Sequence, residues 1–138
     1  MKEIIIKAIR FTNFKGLRDL TISFPAKNID ISGENGLGKS TVFDGVTWVF
    51  FGKNRLDRKQ FGIKTLDCDN NAIPRIPHMV EIDLKVNGEP VKLARRYEEK
   101  WVRPKGSATE RFDGHEETRL YNNVPCSVDE WKEKISEI

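Results

Sequence analysis

The sequence predicts an α/β fold of α+β character, a mixed and largely antiparallel β-sheet around one helix that is led in by glycines. Three observations carry that prediction. Several short stretches alternate apolar and polar residues with the period of two that half-buried strands require. Asn87-Gly88 and Asn122-Asn123 stand between such stretches as tight turns, because Asn and Gly tolerate positive φ. Val42, Phe43, Val46, Val49 and Phe50 recur instead at helical spacing, with Trp48 and Phe51 broadening the apolar face.

Taken in order, Glu3 to Thr12 reads as a strand, with Ile4, Ile6 and Ala8 on one face and Ile5, Ile9 and Phe11 on the other. Asn13 to Asp19 reads as a turn around Gly16, followed by a half-buried strand of Leu20, Ile22 and Phe24 that stops at Pro25. "NIDIS", Asn28 to Ser32, is a further strand, and a helix from Ser40 to about Phe51 closes on Gly52. Residues from Gly52 to Pro77 lose periodicity and read as a loop-rich insertion. Val80, Ile82, Leu84 and Val86 then alternate, Asn87-Gly88 turns the chain, and Val91, Leu93 and Tyr97 return, with Pro90 at the strand start where its missing N–H is tolerated. A second hairpin is expected to turn near Asp113-Gly114. Ser127 and Glu130 form a capping box ahead of Val128, Trp131, Ile135 and Ile138, a helix that looks interrupted while still in pattern. The expected organisation is one lobe over residues 1–138. Strands, glycine loop and helix occupy 1–52, the insertion 53–77, antiparallel hairpins 78–126 and the start of a helix 127–138.

The segment between the third strand and the helix is "ISGENGLGKST", Ile31 to Thr41. Gly33, Gly38, Lys39 and Ser40 fit Gly-x-x-x-x-Gly-Lys-Ser/Thr, a phosphate-binding loop, and the required strand and helix flank it. The chemistry accounts for the composition. Glycines turn the backbone so that successive N–H groups face an anion with no side chain in the way. The helix that follows adds the partial positive charge of its N-terminus. Lys39 is expected to reach the β- and γ-phosphates of ATP, and the Ser40 hydroxyl to ligate Mg²⁺.

The bulk numbers set bounds. A chain of 138 residues suffices for one domain with a core, and 24 basic against 21 acidic residues leave a net charge of +3 that permits a nucleic-acid partner without arguing for one. Cys68 and Cys126 lie far apart with no metal-ligand spacing, which suits a reducing compartment. The apolar run "VTWVFF" is far short of the ~20 residues of a membrane span. The expectation is a soluble, cytoplasmic protein with no membrane partner.

Two absences narrow the choice among phosphate-loop proteins. No Asn-Lys-x-Asp base-reading motif is present, which disfavours a GTPase. Between Thr41 and Ile138 no run of four apolar residues precedes Asp or Glu, so the carboxylate that orients water for hydrolysis is missing. With those facts in place, residues 6–52 resemble the N-terminal segment of the SMC/RecN/SbcC group of ABC-type, AAA-family P-loop ATPases. The resemblance rests on the strand, the "NFK" turn with Lys15, the second strand, the "GENGLGKS" loop with Asn35, and Asp44 early in the helix. The likeness is strong over 1–52 and looser beyond, and is nearest to phage-encoded members. It implies the N-terminal lobe of an ATPase head completed by a coiled coil and a C-terminal lobe. Such heads dimerise around ATP and act on DNA in repair or organisation, commonly beside a nuclease subunit. Carried onto this chain, Gly33, Asn35, Gly36, Gly38, Lys39, Ser40 and Thr41 cradle the phosphates and Lys15 approaches the γ-phosphate. The family's Mg²⁺-contacting glutamine has no counterpart here, since Gln60 follows the loop too closely.

Other readings remain open in the sequence. A free-standing nucleotide-binding module without hydrolysis, acting on a partner, is one alternative, and a small-molecule phosphotransferase is another. Lys53, Arg55, Arg58, Lys59 and Lys64 read as a solvated loop or a phosphate-backbone contact. Arg95, Arg96, Lys100, Arg103 and Lys105 with Tyr97 and Trp101 mix basic and aromatic groups as single-strand binders do, although half of a strand's side chains must face a core. His78 and His115 have no ligand partners at workable spacing.

Overall fold

The computed structural model describes residues 3–15, 17–24, 39–53, 63, 69 and 76–138. Among the described residues six strands and two helices run in the order β1 (Ile4–Phe14), β2 (Leu17–Ser23), α1 (Lys39–Phe51), β3 (His78–Val86), β4 (Glu89–Val102), β5 (Arg111–Tyr121), β6 (Val124–Cys126) and α2 (Val128–Ser136). The strands form one sheet in the order β2-β1-β3-β4-β5-β6, and each of these pairings is antiparallel. The expected strand from Asn28 to Ser32, most of the 53–77 insertion and Cys68 lie outside the described residues.

Turn chemistry sets much of the register. Asn87 and Gly88 both take positive φ, 51° and 85°, as do Asn122 and Asn123 at 49° and 67°, the backbone that joins twisted strands through two residues. The first hairpin is tighter than expected. Phe14 pairs with Leu17, so both strands extend into the 13–19 stretch.

Two bulges depart from the sequence expectation. In β1 the ladder to β3 slips between Ile6 and Ala8: Ile6 pairs with Leu84 and Ile9 with Ile82. The extra residue, Lys7, resets the alternation, so Ile4, Ile6, Ile9 and Phe11 share one face rather than dividing between two. In β5 no turn forms at Asp113-Gly114. The strand runs through, with Asp113 and Gly114 set against Lys100 alone, and Gly114 adopts φ 87° as the bulge residue. β5 pairs on one side with β4, joined to it by the 103–110 segment, and on the other with β6.

The helix α1 lies on the face carrying Ile9, Phe11, Val80, Ile82 and Leu93, all at most 2% exposed, and buries Val42, Trp48 and Val49 there. Trp48 packs on Phe14 at 5.5 Å between ring centroids, and Phe14 on Phe11 at 6.0 Å. Gly45 makes the approach possible, since a Cβ there would lie 2.5 Å from Phe11 Cε1. A mid-helix glycine costs about 1 kcal/mol relative to alanine, and close packing on an aromatic ring offsets it. Phe43 and Phe51, expected on the apolar face, are 47% and 65% exposed on the far side of α1.

Candidate phosphate site at the N-terminus of α1

The helix begins at Lys39, where the glycine loop ends, and Ser40 and Thr41 are half-buried in its first turn. The sequence motif therefore feeds directly into a helix N-terminus, with the loop residues Gly33, Asn35, Gly36 and Gly38 outside the described residues. Lys15 reaches the same end of α1 from the β1–β2 hairpin. Its φ is 53°, and its N–H donates to the Ile63 carbonyl at 2.6 Å, which ties the hairpin to the insertion. Lys15 Nζ donates to Asp44 Oδ2 at 3.0 Å, the carboxylate being 4% exposed and the lysine side chain 32%. Asp44 matches the family pattern in sequence, but its pairing with Lys15 across 29 residues could not be read there. His78, which looked incidental, is buried behind the hairpin and donates from Nδ1 to the Asn13 carbonyl at 2.6 Å.

The opposite end of α1 is closed by the protein itself. Arg95 is 5% exposed. Its Nε and Nη2 donate to the Val49 carbonyl at 3.3 and 3.2 Å, and Nη1 donates to Glu117. The guanidinium lies 5.6 Å from the centre of the Trp131 ring, and Trp131 Nε1 donates to the Phe50 carbonyl at 3.2 Å. Gly52, at φ 70°, adds an N–H to the Trp48 carbonyl at 2.8 Å. Burial lowers the Arg95 pKa from its ordinary value, and the hydrogen bond and charge of Glu117 oppose that shift.

This placement revises the basic-aromatic stretch of β4. Arg95 is a core residue, on the same strand face as Tyr97 and Trp101, while Arg96 and Lys100 alternate to the other face. The aromatic groups contact one another instead: Tyr97 stacks on His115 at 4.8 Å, and Phe112 meets His115 at 5.2 Å and Trp101 at 5.7 Å. Of the basic loop group, Lys53 alone is among the described residues. Within that same set no cluster of three or more His, Cys, Asp or Glu is placed to hold a metal ion, and no helix is long and apolar enough to cross a membrane. The groups at the start of α1 suit a Mg-nucleotide: a helix N-terminus for an anion, the half-buried Ser40 with a hydroxyl of the hard-oxygen kind, and the Lys15 ammonium on Asp44 one turn further on.

The profile of the AAA_23 family, an AAA domain, matches residues 8–138. A DNA double-strand break repair Rad50 ATPase from Methanocaldococcus jannaschii is 34% identical over 95 residues, covering 69% of this chain and 9% of that protein. The chain thus spans about a tenth of that relative's length. Among solved structures, the recombination mediator protein RecF-ATP of the RecFOR pathway superposes with a TM-score of 0.68 at 15% identity, over 98% of this chain and 31% of that one. The SMC head domain from Thermotoga maritima gives 0.63 at 25% identity, over 94% and 41%. The expected fold and the expected SMC/RecN/SbcC-type resemblance are borne out by these likenesses.

Proposed function

The chain belongs to the AAA_23 family of AAA domains, and from that premise we propose that it is the ATP-binding N-terminal lobe of an SMC/Rad50-type ATPase head serving DNA repair or organisation. The observation that carries the reading is the junction at Lys39, where a complete phosphate-loop sequence passes into α1 on the face of an antiparallel sheet. In this reading the backbone of the loop through Gly33, Gly36 and Gly38 cradles the phosphates, with Asn35 and Thr41 beside it. Lys39 spans the β- and γ-phosphates, and Lys15 contributes a second cation. Ser40 holds Mg²⁺, which when bound offsets phosphate charge.

The Rad50 relative and the SMC head supply the class. A C-terminal lobe and coiled coil, a head-to-head dimer formed on ATP, and contacts with DNA and a nuclease subunit belong to the same proposal, as does the likeness to phage-encoded members. So does the division into loop-and-helix, insertion, hairpin and terminal-helix segments. The chain binds Mg-ATP but does not turn it over, because its loop offers ground-state phosphate contacts and it carries no apolar-run carboxylate to orient water.

Titration calorimetry with Mg-ATP on the chain and on Lys39→Ala tests both halves, together with a phosphate-release assay. Saturable binding that is lost in Lys39→Ala, without release above background, is the expected result. Equal binding by the two proteins removes the phosphate-site reading, and robust turnover by the chain removes the claim that hydrolysis needs another lobe.

A further inference from the structure

We propose that Arg119 is a docking point for a protein partner: its guanidinium receives a single carboxylate, an aspartate or glutamate side chain that the partner carries between apolar residues. The observation behind this is an imbalance between two paired strands. Arg95 of β4 and Arg119 of β5 stand opposite each other in the register, and one carboxylate, that of Glu117, faces both. Arg95 takes it. Its Nη1 donates to Glu117 Oε1, and its Nε and Nη2 are taken up by the Val49 carbonyl. Arg119 Nη1 is left 4.0 Å from the same oxygen, too far for a hydrogen bond.

A largely desolvated cation is thereby short of acceptors. The Arg119 side chain is 18% exposed, and its Nε is buried with no hydrogen-bond partner. Taking a guanidinium out of water costs free energy unless other acceptors replace the solvent. Arg95 responds to the excess charge as well: burial lowers its pKa, Glu117 opposes that shift, and Arg119 adds to it. A planar fork of N–H donors in this condition matches a carboxylate, which accepts from two of them at once.

The surroundings select a single carboxylate rather than a polyanion. Glu117 shares a strand face with Arg119, and α2 starts two residues after Cys126, the β6 residue paired with Arg119, with Asp129 and Glu130 in its first turn. A run of phosphates would be repelled by those carboxylates, whereas one side chain needs to meet only the guanidinium. Apolar groups belong to the same junction: Val124 of β6 and Val128 of α2 are 62% and 49% exposed. An arginine beside exposed apolar side chains is the composition of an interface centre.

A structural arginine and a docking arginine differ in what their removal does. Arg119→Met breaks no hydrogen bond and relieves a repulsion, so it is expected to melt above the unaltered chain or within about 3 °C of it, and Arg95→Met well below. Binding is read from the Arg119 Nε–H resonance in ¹H–¹⁵N spectra, assigned by its loss in Arg119→Met. The probes are acetyl-Val-Glu-Val-amide, its Gln counterpart and inorganic phosphate. The Glu peptide shifts the resonance saturably with a midpoint of about 1–10 mM, the Gln peptide binds at least about tenfold more weakly, and phosphate does not saturate. A larger fall in melting of Arg119→Met, or its failure to fold, makes the residue structural and overturns the proposal. No saturable shift with the Glu peptide, or an equal response to the Gln peptide, overturns it too. Phosphate binding as strong as that of the Glu peptide marks a general anion or nucleic-acid contact and overturns the assignment to a protein carboxylate.

Discussion

At its C-terminal end α1 gives carbonyls to Arg95, Trp131 and Gly52, groups belonging to its own fold, whereas at its N-terminal end it opens on Lys39, Ser40 and Thr41 with Lys15 brought in from a hairpin. A helix has unsatisfied acceptors at one end and unsatisfied donors at the other, and each end must find partners. Here a buried arginine meets the negative end, as the helix dipole favours. The positive end carries Ser40 and Thr41, with the Lys15–Asp44 pair one turn further on. One end is therefore closed by the fold itself, the other is the end where a phosphate site is proposed, and substitutions should separate the two.

The largest effect is expected from Trp131→Ala. It removes a buried indole, its hydrogen bond to Phe50 and the surface under Arg95, at a cost of about 3–5 kcal/mol. Urea unfolding followed by circular dichroism measures it, and a loss below about 1 kcal/mol would mean that α2 contributes little to holding α1. Gly52→Ala comes next at about 1–2 kcal/mol, because residue 52 has φ 70° and an added Cβ would meet Arg95 Nη1 at 3.3 Å. Its unfolding midpoint should fall while any nucleotide affinity at the far end stays within about twofold; a change confined to affinity would erase the contrast between the ends.

The smallest effect lies in alkaline solution. Burial, then the charges of Glu117 and Glu99, raise the Tyr97 phenol above its ordinary 10.0. The folded state thus favours the neutral phenol, so the stability it contributes is present below the unfolded pKa and is lost as pH rises through the folded one. Stability measured between pH 9 and 12 should fall less steeply in Tyr97→Phe, where the upper limit is about two units past an ordinary phenol. Identical profiles would sever Tyr97 from the Arg95–Glu117 cluster.

The sequence made some of this visible and hid the rest for physical reasons. Helix α1 was readable because its apolar spacing and closing Gly52 are local signals. Both two-residue turns were readable because Asn and Gly at positive φ announce themselves, and the capping box of α2 is present as expected, with Ser127 Oγ accepting from the Glu130 N–H at 3.2 Å. The bulges were not, since an added residue is defined by the strand opposite rather than by its own chemistry. A hint existed at Lys7: Ile6 and Ile9 are three apart, a spacing that a regular strand would send to opposite faces. The inward turn of Arg95 followed from the alternation of Val91, Leu93 and Tyr97 around it, but its acceptor, Val49, lies 46 residues away. The pairing of Lys15 with Asp44 was hidden in the same way, since charge complementarity alone does not choose among 21 acidic partners.

Gly45 has a mechanical consequence. Sliding α1 along its axis by one residue would carry a side chain into the space where Phe11 Cε1 already lies 2.5 Å from an imagined Cβ. The helix is keyed to the sheet at that point like a shaft in a slot. Axial translation of α1 is resisted at that point, and the hold of Arg95 and Trp131 on the Val49 and Phe50 carbonyls fixes its last turn as well.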